Sequence, residues 1–205
     1  MMGSSIMLAG VDEVGRGPIA GPVTVCAVVL KKPLPRRFFS GIRNSKAISQ
    51  SSREEWYTRA RALRHKGILD FAVSFSGERF IDRHGISKAV HLSIARSLRR
   101  LKISPAHSRI LLDGSIHAPI RFKNQETIIR GDELVPIISL ASIIAKVRRD
   151  RRMHRFAKQY PEYGFDQHKG YGTASHYKAI RRHGVSKLHR RSFLTKVKLK
   201  NQSEK

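Results

Sequence analysis

The chain has 205 residues, 40% of them hydrophobic, which is enough to bury the core of one ordinary domain. Forty-one Lys and Arg residues against fifteen Asp and Glu residues give a formal net charge of +26, which favours a polyanionic partner such as nucleic acid. No stretch approaches the roughly 20 apolar residues of a membrane-spanning helix, and the N-terminus lacks the basic start of a signal peptide. We therefore expect a cytoplasmic protein with no membrane association.

The first predicted element is a buried strand over residues 6–11, which ends at two adjacent carboxylates, Asp12 and Glu13. A tight turn follows it, and its residues form the run Gly15, Arg16 and Gly17. Such a turn exposes backbone N–H groups beside the carboxylates, together with one guanidinium. The alternative is a polar strand end capped by a surface turn, which would suffice if this stretch stood alone.

Two further strands are predicted over residues 23–30 and 69–76, so the chain opens with a three-stranded meander. The first of these strands contains the single cysteine, Cys26, which we expect to be a buried, reduced thiol. A basic loop follows and includes Lys46, which is either a phosphate contact or a solvated loop lysine. A helix over residues 51–63 separates this loop from the third strand.

A second strand end with a carboxylate comes after a helix predicted over residues 87–101. The strand covers residues 108–113 and finishes at Asp113, which a glycine follows. A strand, a crossover helix and another strand usually lie parallel in one sheet, so Asp12 and Asp113 are expected at neighbouring strand ends. The alternative is an ordinary Asp-Gly turn.

A fifth strand, predicted over residues 126–130, is followed by Gly131 and Asp132, so three strand ends now carry carboxylates. The chain is then helical over residues 136–160, and one helix face carries small hydroxyls and cations, namely Ser139, Ser142, Lys146 and Arg149. This polar face either holds phosphates or is simply solvated. Asp150 is expected to pair with the neighbouring arginines.

An aromatic, glycine-rich loop follows this helix and carries Tyr163, Phe165 and Tyr171. Its rings either stack on nucleotides or close the core beneath the loop. A helix over residues 174–183 comes next. We expect one domain, with a core over residues 1–160, a helical part over 161–194 and a basic tail over 195–205.

The carboxylates at successive strand ends need a counter-charge. Two unit charges about 4 Å apart repel by roughly 4 kcal/mol at an effective dielectric near 20. Carboxylates without histidine or cysteine ligands favour Mg²⁺ or Mn²⁺, and two such ions can activate water in phosphodiester hydrolysis. An acidic pocket in a basic protein therefore indicates a nuclease, whereas zinc, Walker-loop and serine-hydrolase motifs are absent from the sequence.

The motifs together resemble the bacterial type 2 ribonucleases H, the ribonuclease HII family. The resemblance rests on the segments DEVGRGPIAGPV, NSKAIS, LLDG, IIRGD, ASIIAKVRRDR, HKGYGT and HRRSF, in this order. It implies an α/β, ribonuclease H-like fold with a central mixed five-stranded sheet, flanking helices and a helical C-terminal portion. It also implies a monomeric endonuclease that cuts the RNA strand of RNA–DNA hybrids and cuts 5′ of ribonucleotides embedded in duplex DNA. Such activity belongs to ribonucleotide excision repair.

The resemblance implies the following site residues. The catalytic, metal-binding carboxylates are Asp12, Glu13, Asp113 and Asp132, which would bind Mg²⁺ or Mn²⁺, with two ions when substrate is present. Gly15, Arg16 and Gly17 would contact ribose 2′-hydroxyls, which distinguish RNA from DNA. Lys46 and Lys146 would approach backbone phosphates. Tyr171 would stack on the sugar of the next deoxynucleotide.

The loop with Lys46 departs from the family pattern. Asn44 stands where an aspartate is common, and Ala47 and Ile48 stand where a second lysine and a leucine are common. Two other functions remain open. A non-catalytic nucleic-acid-binding protein would explain the charge but not the carboxylates, and a DNA-directed nuclease of the same superfamily would not need the Gly-Arg-Gly run or Tyr171.

Overall fold

The computed structural model describes residues 6–42, 45 and 48–194. Its centre is a five-stranded sheet in the order β3-β2-β1-β4-β5. The strands are β1 (Met7–Val14), β2 (Val23–Leu30), β3 (Leu69–Ser76), β4 (Ser108–Asp113) and β5 (Gln125–Ile128). β1, β2 and β3 are antiparallel neighbours, whereas β4 lies parallel to β1 and β5 lies parallel to β4. The predicted meander and mixed five-stranded sheet are confirmed.

Helices cover both faces of the sheet and form the C-terminal part of the described chain. They are α1 (Gln50–His65), α2 (Glu78–His84), α3 (Ile86–Leu101), α4 (Gly131–Leu134), α5 (Pro136–Gln159), α6 (Phe165–His168) and α7 (Ala174–His183). Short 3-10 turns lie at Arg36–Phe39, Pro105–His107, Pro161–Tyr163 and Arg191–Phe193. Within the residues described, no helix has the length and hydropathy to cross a membrane.

The core has two layers because β2 is buried on both faces, which explains its continuous apolar sequence. Val25 and Ala27 pack with α3 on one face, whereas Cys26 and Val28 pack with α1 and α5 on the other. Cys26 is free and buried, as predicted. Burial raises the pKa of its thiol well above the ordinary value, so the thiol stays neutral.

Two predicted strand ends were placed incorrectly. β1 continues to Val14, so Asp12 and Glu13 lie inside the strand, where they face Cys26 and Val25 of β2. β1 is longer than predicted because β2, its antiparallel partner, extends far enough to pair with Asp12 and Glu13. β5 ends earlier than predicted, at Ile128, because the backbone of Arg130 is left-handed, with φ 57°, and turns the chain out of the sheet.

A third apolar cluster lies between the loop after β1 and the C-terminal helices. Ile19 and Ala20 from that loop pack against Met153 of α5 and against Tyr163 and Phe165. The rings of Tyr163 and Phe165 are buried and stack with centroids 5.4 Å apart. The core alternative is therefore correct for these two rings. Tyr171 differs from them, since 45% of its surface is exposed.

Candidate active site

Three of the predicted carboxylates meet near the carboxyl ends of the neighbouring strands β1 and β4. Each of Asp12, Asp113 and Asp132 has an oxygen atom within 4.8 Å of the others. Asp12 and Asp113 are neighbours because β1 and β4 are parallel and Val11 pairs with Leu112, one residue earlier on each strand. The sheet therefore brings together residues about a hundred positions apart in sequence, as the strand-helix-strand pattern predicted.

Asp132 reaches the other two carboxylates through the turn after β5. Its backbone N–H donates to Asp113 Oδ1 at 3.1 Å. The preceding residue, Gly131, is closely packed, since a Cβ there would lie 2.8 Å from Ile138 Cδ1, 3.3 Å from Ile128 Cβ and 3.4 Å from Asp113 Oδ1. Asp132 itself lies in the first turn of α4 and not at the end of a strand.

Glu13 lies beside this three-carboxylate cluster and is held differently. Its Oε1 accepts a hydrogen bond from Arg16 Nη1 at 3.1 Å. Its Oε2 is buried and has no hydrogen-bond partner among the residues that the structure describes. Burial raises the pKa of the Glu13 carboxyl, Arg16 opposes that rise, and the Asp113 charge adds to it. Glu13 is thus close enough to interact with the cluster electrostatically.

The cluster is electrostatically unfavourable without a cation. Burial, followed by repulsion from Glu13, raises the pKa of the Asp12 carboxyl well above its ordinary value. Asp113 adds to the rise, while the Ser142 hydroxyl opposes it. The carboxylate oxygens of the cluster fit a hard divalent cation, because such a cation removes the repulsion and prefers oxygen ligands. The buried Glu13 Oε2 beside them, which has no hydrogen-bond partner within the described part of the chain, could serve as a further ligand.

A buried arginine, Arg190, donates hydrogen bonds to the backbone carbonyls of the Gly-Arg-Gly run, and the sequence analysis gave this residue no role. Arg190 Nη2 donates to the Gly15 carbonyl at 2.7 Å, and Nη1 donates to the Arg16 carbonyl at 2.8 Å. Its Nε also donates to the Gly21 carbonyl at 2.9 Å. Arg190 lies in the HRRSF segment, which the sequence analysis used only as one of the motifs that resemble the family.

Gly15 and Gly17 meet different surroundings. Gly15 has φ +91°, and a Cβ there would lie 2.3 Å from Arg149 Nε. A Cβ on Gly17 would meet nothing within 4 Å. The first glycine is therefore required by the fold, whereas the second faces open space. Arg16 exposes 45% of its side chain next to them.

The polar face of α5 holds the site together. Ser139 Oγ donates to the Asp132 carbonyl at 2.7 Å, and the hydroxyls of Ser142 and Ser45 are hydrogen-bonded with their oxygens 2.9 Å apart. Arg149 is fully buried and donates to carbonyls on two loops, those of Pro22, Ala20 and Lys169. The interpretation of this face as solvated is wrong, because its hydroxyls and Arg149 fasten site segments to the helix.

Lys146 pairs with Asp150, at 3.0 Å from Nζ to Oδ1. Among the described residues, Asp150 forms its close ion pair with Lys146 and not with the neighbouring arginines as expected, because α5 places Lys146 one turn before it. The Asp150 charge also acts on Arg149, where it opposes the lowering of the arginine pKa by burial. Burial lowers the pKa of Lys146, and Asp150 opposes that change. Lys46, the other predicted phosphate contact, lies outside the described residues, as do Asn44 and Ala47.

The Tyr171 loop is joined to the loop after β1. The Gly170 carbonyl accepts from the backbone N–H groups of Ile19 at 2.9 Å and Ala20 at 3.2 Å. A Cβ on Gly170 would lie 2.3 Å from the Ala20 carbonyl oxygen, so only glycine permits this approach. The half-exposed Tyr171 ring and the Gly-Arg-Gly run therefore belong to one connected unit.

Comparison with known proteins places this architecture in a family. The family model for Ribonuclease HII matches residues 9–196. A Ribonuclease HII from Coxiella burnetii (strain Dugway 5J108-111) is 42% identical over 190 residues, which are 93% of this chain and 89% of that protein.

Solved structures agree with the fold. The crystal structure of ribonuclease H2 from Pyrococcus horikoshii superposes with a TM-score of 0.71 at 26% identity, over 91% of this chain and 93% of that one. Bst-RNase HIII in complex with Mn²⁺ superposes with a TM-score of 0.65 at 19% identity, over 88% of this chain and 63% of that one, which shows similarity of fold alone. The chain therefore belongs to the ribonuclease HII family, whose members are ribonucleases H that cleave the RNA of RNA–DNA hybrids and ribonucleotides within DNA.

Proposed function

We propose that this chain is an endoribonuclease that hydrolyses the RNA strand of RNA–DNA hybrids and cuts 5′ of ribonucleotides embedded in duplex DNA. The products carry 3′-hydroxyl and 5′-phosphate ends. The observation that carries the proposal is the cluster of Asp12, Asp113 and Asp132 beside the Gly-Arg-Gly run. We further propose that the enzyme works as a monomer of one catalytic domain in the cytoplasm, where bacterial chromosomal DNA lies.

The proposed cofactor is Mg²⁺ or Mn²⁺, with two ions present when substrate is bound. The ligands are the four acidic residues Asp12, Glu13, Asp113 and Asp132. Oxygen-only donors and the unfavourable burial of Asp12 support a hard cation, and a structural relative is known as a Mn²⁺ complex. When bound, such ions activate water and stabilise the leaving oxygen of a phosphodiester.

The protein's own residues position the substrate in this proposal. Gly15 and Gly17 present backbone to the ribose 2′-hydroxyl, and the open space at Gly17 allows a nucleotide to approach. Arg16 pairs with Glu13 and neutralises it when no substrate is present. Lys146 and Lys46 contact phosphates, and Lys146 must share its ammonium with Asp150 to do so. The exposed Tyr171 ring stacks on the deoxynucleotide after the ribonucleotide.

The test is cleavage of a labelled DNA duplex that carries one ribonucleotide, beside an all-DNA duplex, with Mg²⁺, Mn²⁺ or EDTA. Wild type should cut on the 5′ side of the ribonucleotide, whereas EDTA or Asp12→Asn should reduce turnover by orders of magnitude. Asp70→Asn is the matched control, because Asp70 pairs with Lys31 and Arg64 away from the cluster. This control should cleave as wild type does.

Two other outcomes would overturn parts of the proposal. Cleavage of both duplexes would keep the metal site but remove recognition of the 2′-hydroxyl, which would favour a DNA-directed nuclease. Binding of both duplexes without cleavage under any metal condition would favour a non-catalytic nucleic-acid-binding protein.

A further inference from the structure

Three histidines, His168, His176 and His189, lie together beneath the Tyr171 loop. The rings of His168 and His176 stack with centroids 4.1 Å apart, and His176 and His189 lie 5.1 Å apart. His176 is fully buried, and 2% of His189 is exposed. They lie outside the carboxylate cluster, and the proposed hydrolysis gives them no role.

The hydrogen bonds determine where each proton of His189 and His176 resides. The backbone N–H of Ser186 donates to His189 Nδ1 at 2.9 Å, so the His189 proton is on Nε2. His189 Nε2 lies 3.1 Å from His176 Nε2, which must therefore accept. The His176 proton is then on Nδ1, and it donates to the Tyr171 carbonyl at 2.8 Å. One directed chain of hydrogen bonds runs from Ser186 to Tyr171.

The hydrogen bonds of His168 likewise fix the position of its ring proton, and its backbone binds the N–H of Tyr171. Its Nδ1 accepts from the Gly170 N–H at 3.1 Å, and its Nε2 donates to the Tyr163 carbonyl at 2.7 Å. The His168 carbonyl accepts from the Tyr171 N–H at 3.0 Å. Burial lowers the pKa values of all three histidines, to about 4 for His176 and His189, so each ring is neutral near pH 7, as these bonds require.

This chain of hydrogen bonds from Ser186 through His189 and His176 to Tyr171, called the histidine relay below, is also bonded to the loop after β1. His189 forms an isolated antiparallel bridge with Ala20, and the next residue, Arg190, donates its N–H to the Ile19 carbonyl at 2.8 Å. The Tyr171 backbone is thus clamped at its N–H and at its carbonyl, while its ring projects to the surface. The Tyr171 carbonyl also accepts from the Thr173 N–H at 2.9 Å, so the His176 bond is the second to this oxygen and the one that joins it to His189. An apolar side chain at position 176 would leave the Tyr171 carbonyl with the local Thr173 bond alone.

We propose that His189 and His176 are positioning residues that fix Tyr171 for stacking on the substrate, through the directed hydrogen bonds from Ser186 to the Tyr171 carbonyl. This inference rests on the proposed function, because it uses the Tyr171 ring as the surface that recognises the ribonucleotide-to-deoxyribonucleotide junction. The alternative is that the histidines only fill the C-terminal apolar cluster.

Two amide substitutions at His176 separate these roles. The amide nitrogen of Asn reaches the place of Nδ1 and can still donate to Tyr171, whereas the longer Gln reaches the place of Nε2 and loses that bond. His176→Gln should lower kcat/KM on the single-ribonucleotide duplex roughly tenfold, as expected for loss of one positioning hydrogen bond. His176→Asn should restore most of this loss, to within about threefold of wild type.

The same two substitutions are then made together with Tyr171→Ala, to complete a double-mutant cycle. If His176 acts through the Tyr171 ring, the difference between Gln and Asn should vanish when the ring is absent. A difference that persists undiminished would overturn the proposal and leave His176 a packing residue. Thermal unfolding of each variant measures how much of any loss comes from stability.

Imidazole nitrogen NMR of the wild-type protein provides a test that needs neither variants nor cleavage. It should show Nδ1–H for His176 and Nε2–H for His189. A proton on His176 Nε2 would overturn the relay directly. A wild-type enzyme with the expected protons that cleaves neither duplex would overturn the proposed function instead, and the two failures are thereby distinguished.

Discussion

Arg190 Nη2 donates a hydrogen bond to the carbonyl oxygen of Gly15 at 2.7 Å, which joins the end of the described chain to the turn after β1. The guanidinium is fully buried and also serves the carbonyls of Arg16 and Gly21. Burial lowers the pKa of Arg190 to about 10, so it remains charged at neutral pH. The Gly15 and Arg16 carbonyls therefore point towards Arg190, which fixes the backbone of the Gly-Arg-Gly run.

Arg190→Lys should therefore damage both stability and recognition. Lysine keeps the charge but cannot serve three carbonyls with a planar fork, so buried acceptors lose their donors. We expect the free energy of unfolding to fall by about 2 kcal/mol and kcat/KM on the single-ribonucleotide duplex to fall about tenfold or more. Urea unfolding and cleavage assays measure the two effects.

Arg191→Lys is the matched control for that experiment, because Arg191 is the next residue along the chain and is exposed. Its backbone N–H, which the substitution retains, donates to Asp82. Equal effects of the two substitutions would contradict the assignment of a special function to the buried guanidinium.

Asp12→Asn should stabilise the protein when divalent ions are removed. The substitution relieves the repulsion and the burial of charge that raise the pKa of Asp12. In EDTA we expect its free energy of unfolding to exceed that of wild type by about 1 kcal/mol or more. Addition of Mn²⁺ should raise the melting temperature of wild type and leave the variant nearly unchanged.

Asp70→Asn again provides the comparison, since Asp70 forms two ion pairs and loses favourable contacts on substitution. It should be no more stable than wild type in EDTA and should keep the full response to Mn²⁺. An Asp12→Asn protein that is less stable than wild type without metal would contradict the electrostatic account of the cluster.

The relay of His189 and His176 should make stability depend on pH below neutrality. Burial lowers the pKa of each folded ring to about 4, from an ordinary value of 6.5. The unfolded chain therefore binds protons first, so this stabilisation is complete above pH 6.5 and is lost as the pH falls towards 4. The loss should be on the order of 2 to 3 kcal/mol for each ring.

Urea unfolding between pH 7 and pH 4 measures this dependence in wild type and in His189→Gln. The difference between the two curves isolates His189, because acidic residues contribute equally to both proteins. Asp12, for example, has a raised pKa and so increases the stability of both as the pH falls. Parallel curves for the two proteins would contradict the lowered pKa of His189.

The sequence predicted that Asp12 and Asp113 lie together, because two simple rules suffice for it. The alternation of residues locates each strand, and the rule that a strand, a crossover helix and another strand lie parallel makes the two strands neighbours. The sequence did not predict the environment of Arg149 and Arg190. Both look like surface cations in a chain of charge +26, yet both are buried against loop carbonyls. Such burial depends on how distant loops converge, and no periodic pattern encodes that convergence. The histidine relay was missed for the same reason.

A last prediction uses the two glycines of the Gly-Arg-Gly run as a matched pair. Gly15→Ala places a methyl group 2.3 Å from Arg149 Nε in a left-handed backbone conformation. It should cost about 2 kcal/mol or more of stability as well as activity. Gly17→Ala meets nothing within 4 Å, and Gly17 is not among the glycines with positive φ. Its free energy of unfolding should stay within about 0.5 kcal/mol of wild type.

Any loss of cleavage by Gly17→Ala then reports on the substrate, because the fold itself is undisturbed. If the Gly17 backbone contacts the ribose 2′-hydroxyl, the new methyl group crowds the ribonucleotide, and kcat/KM on the single-ribonucleotide duplex should fall about tenfold or more. Thermal unfolding and cleavage are measured on the same preparations. Full activity in a stable Gly17→Ala protein would remove Gly17 from the contact surface and shift recognition of the 2′-hydroxyl to Gly15 and Arg16.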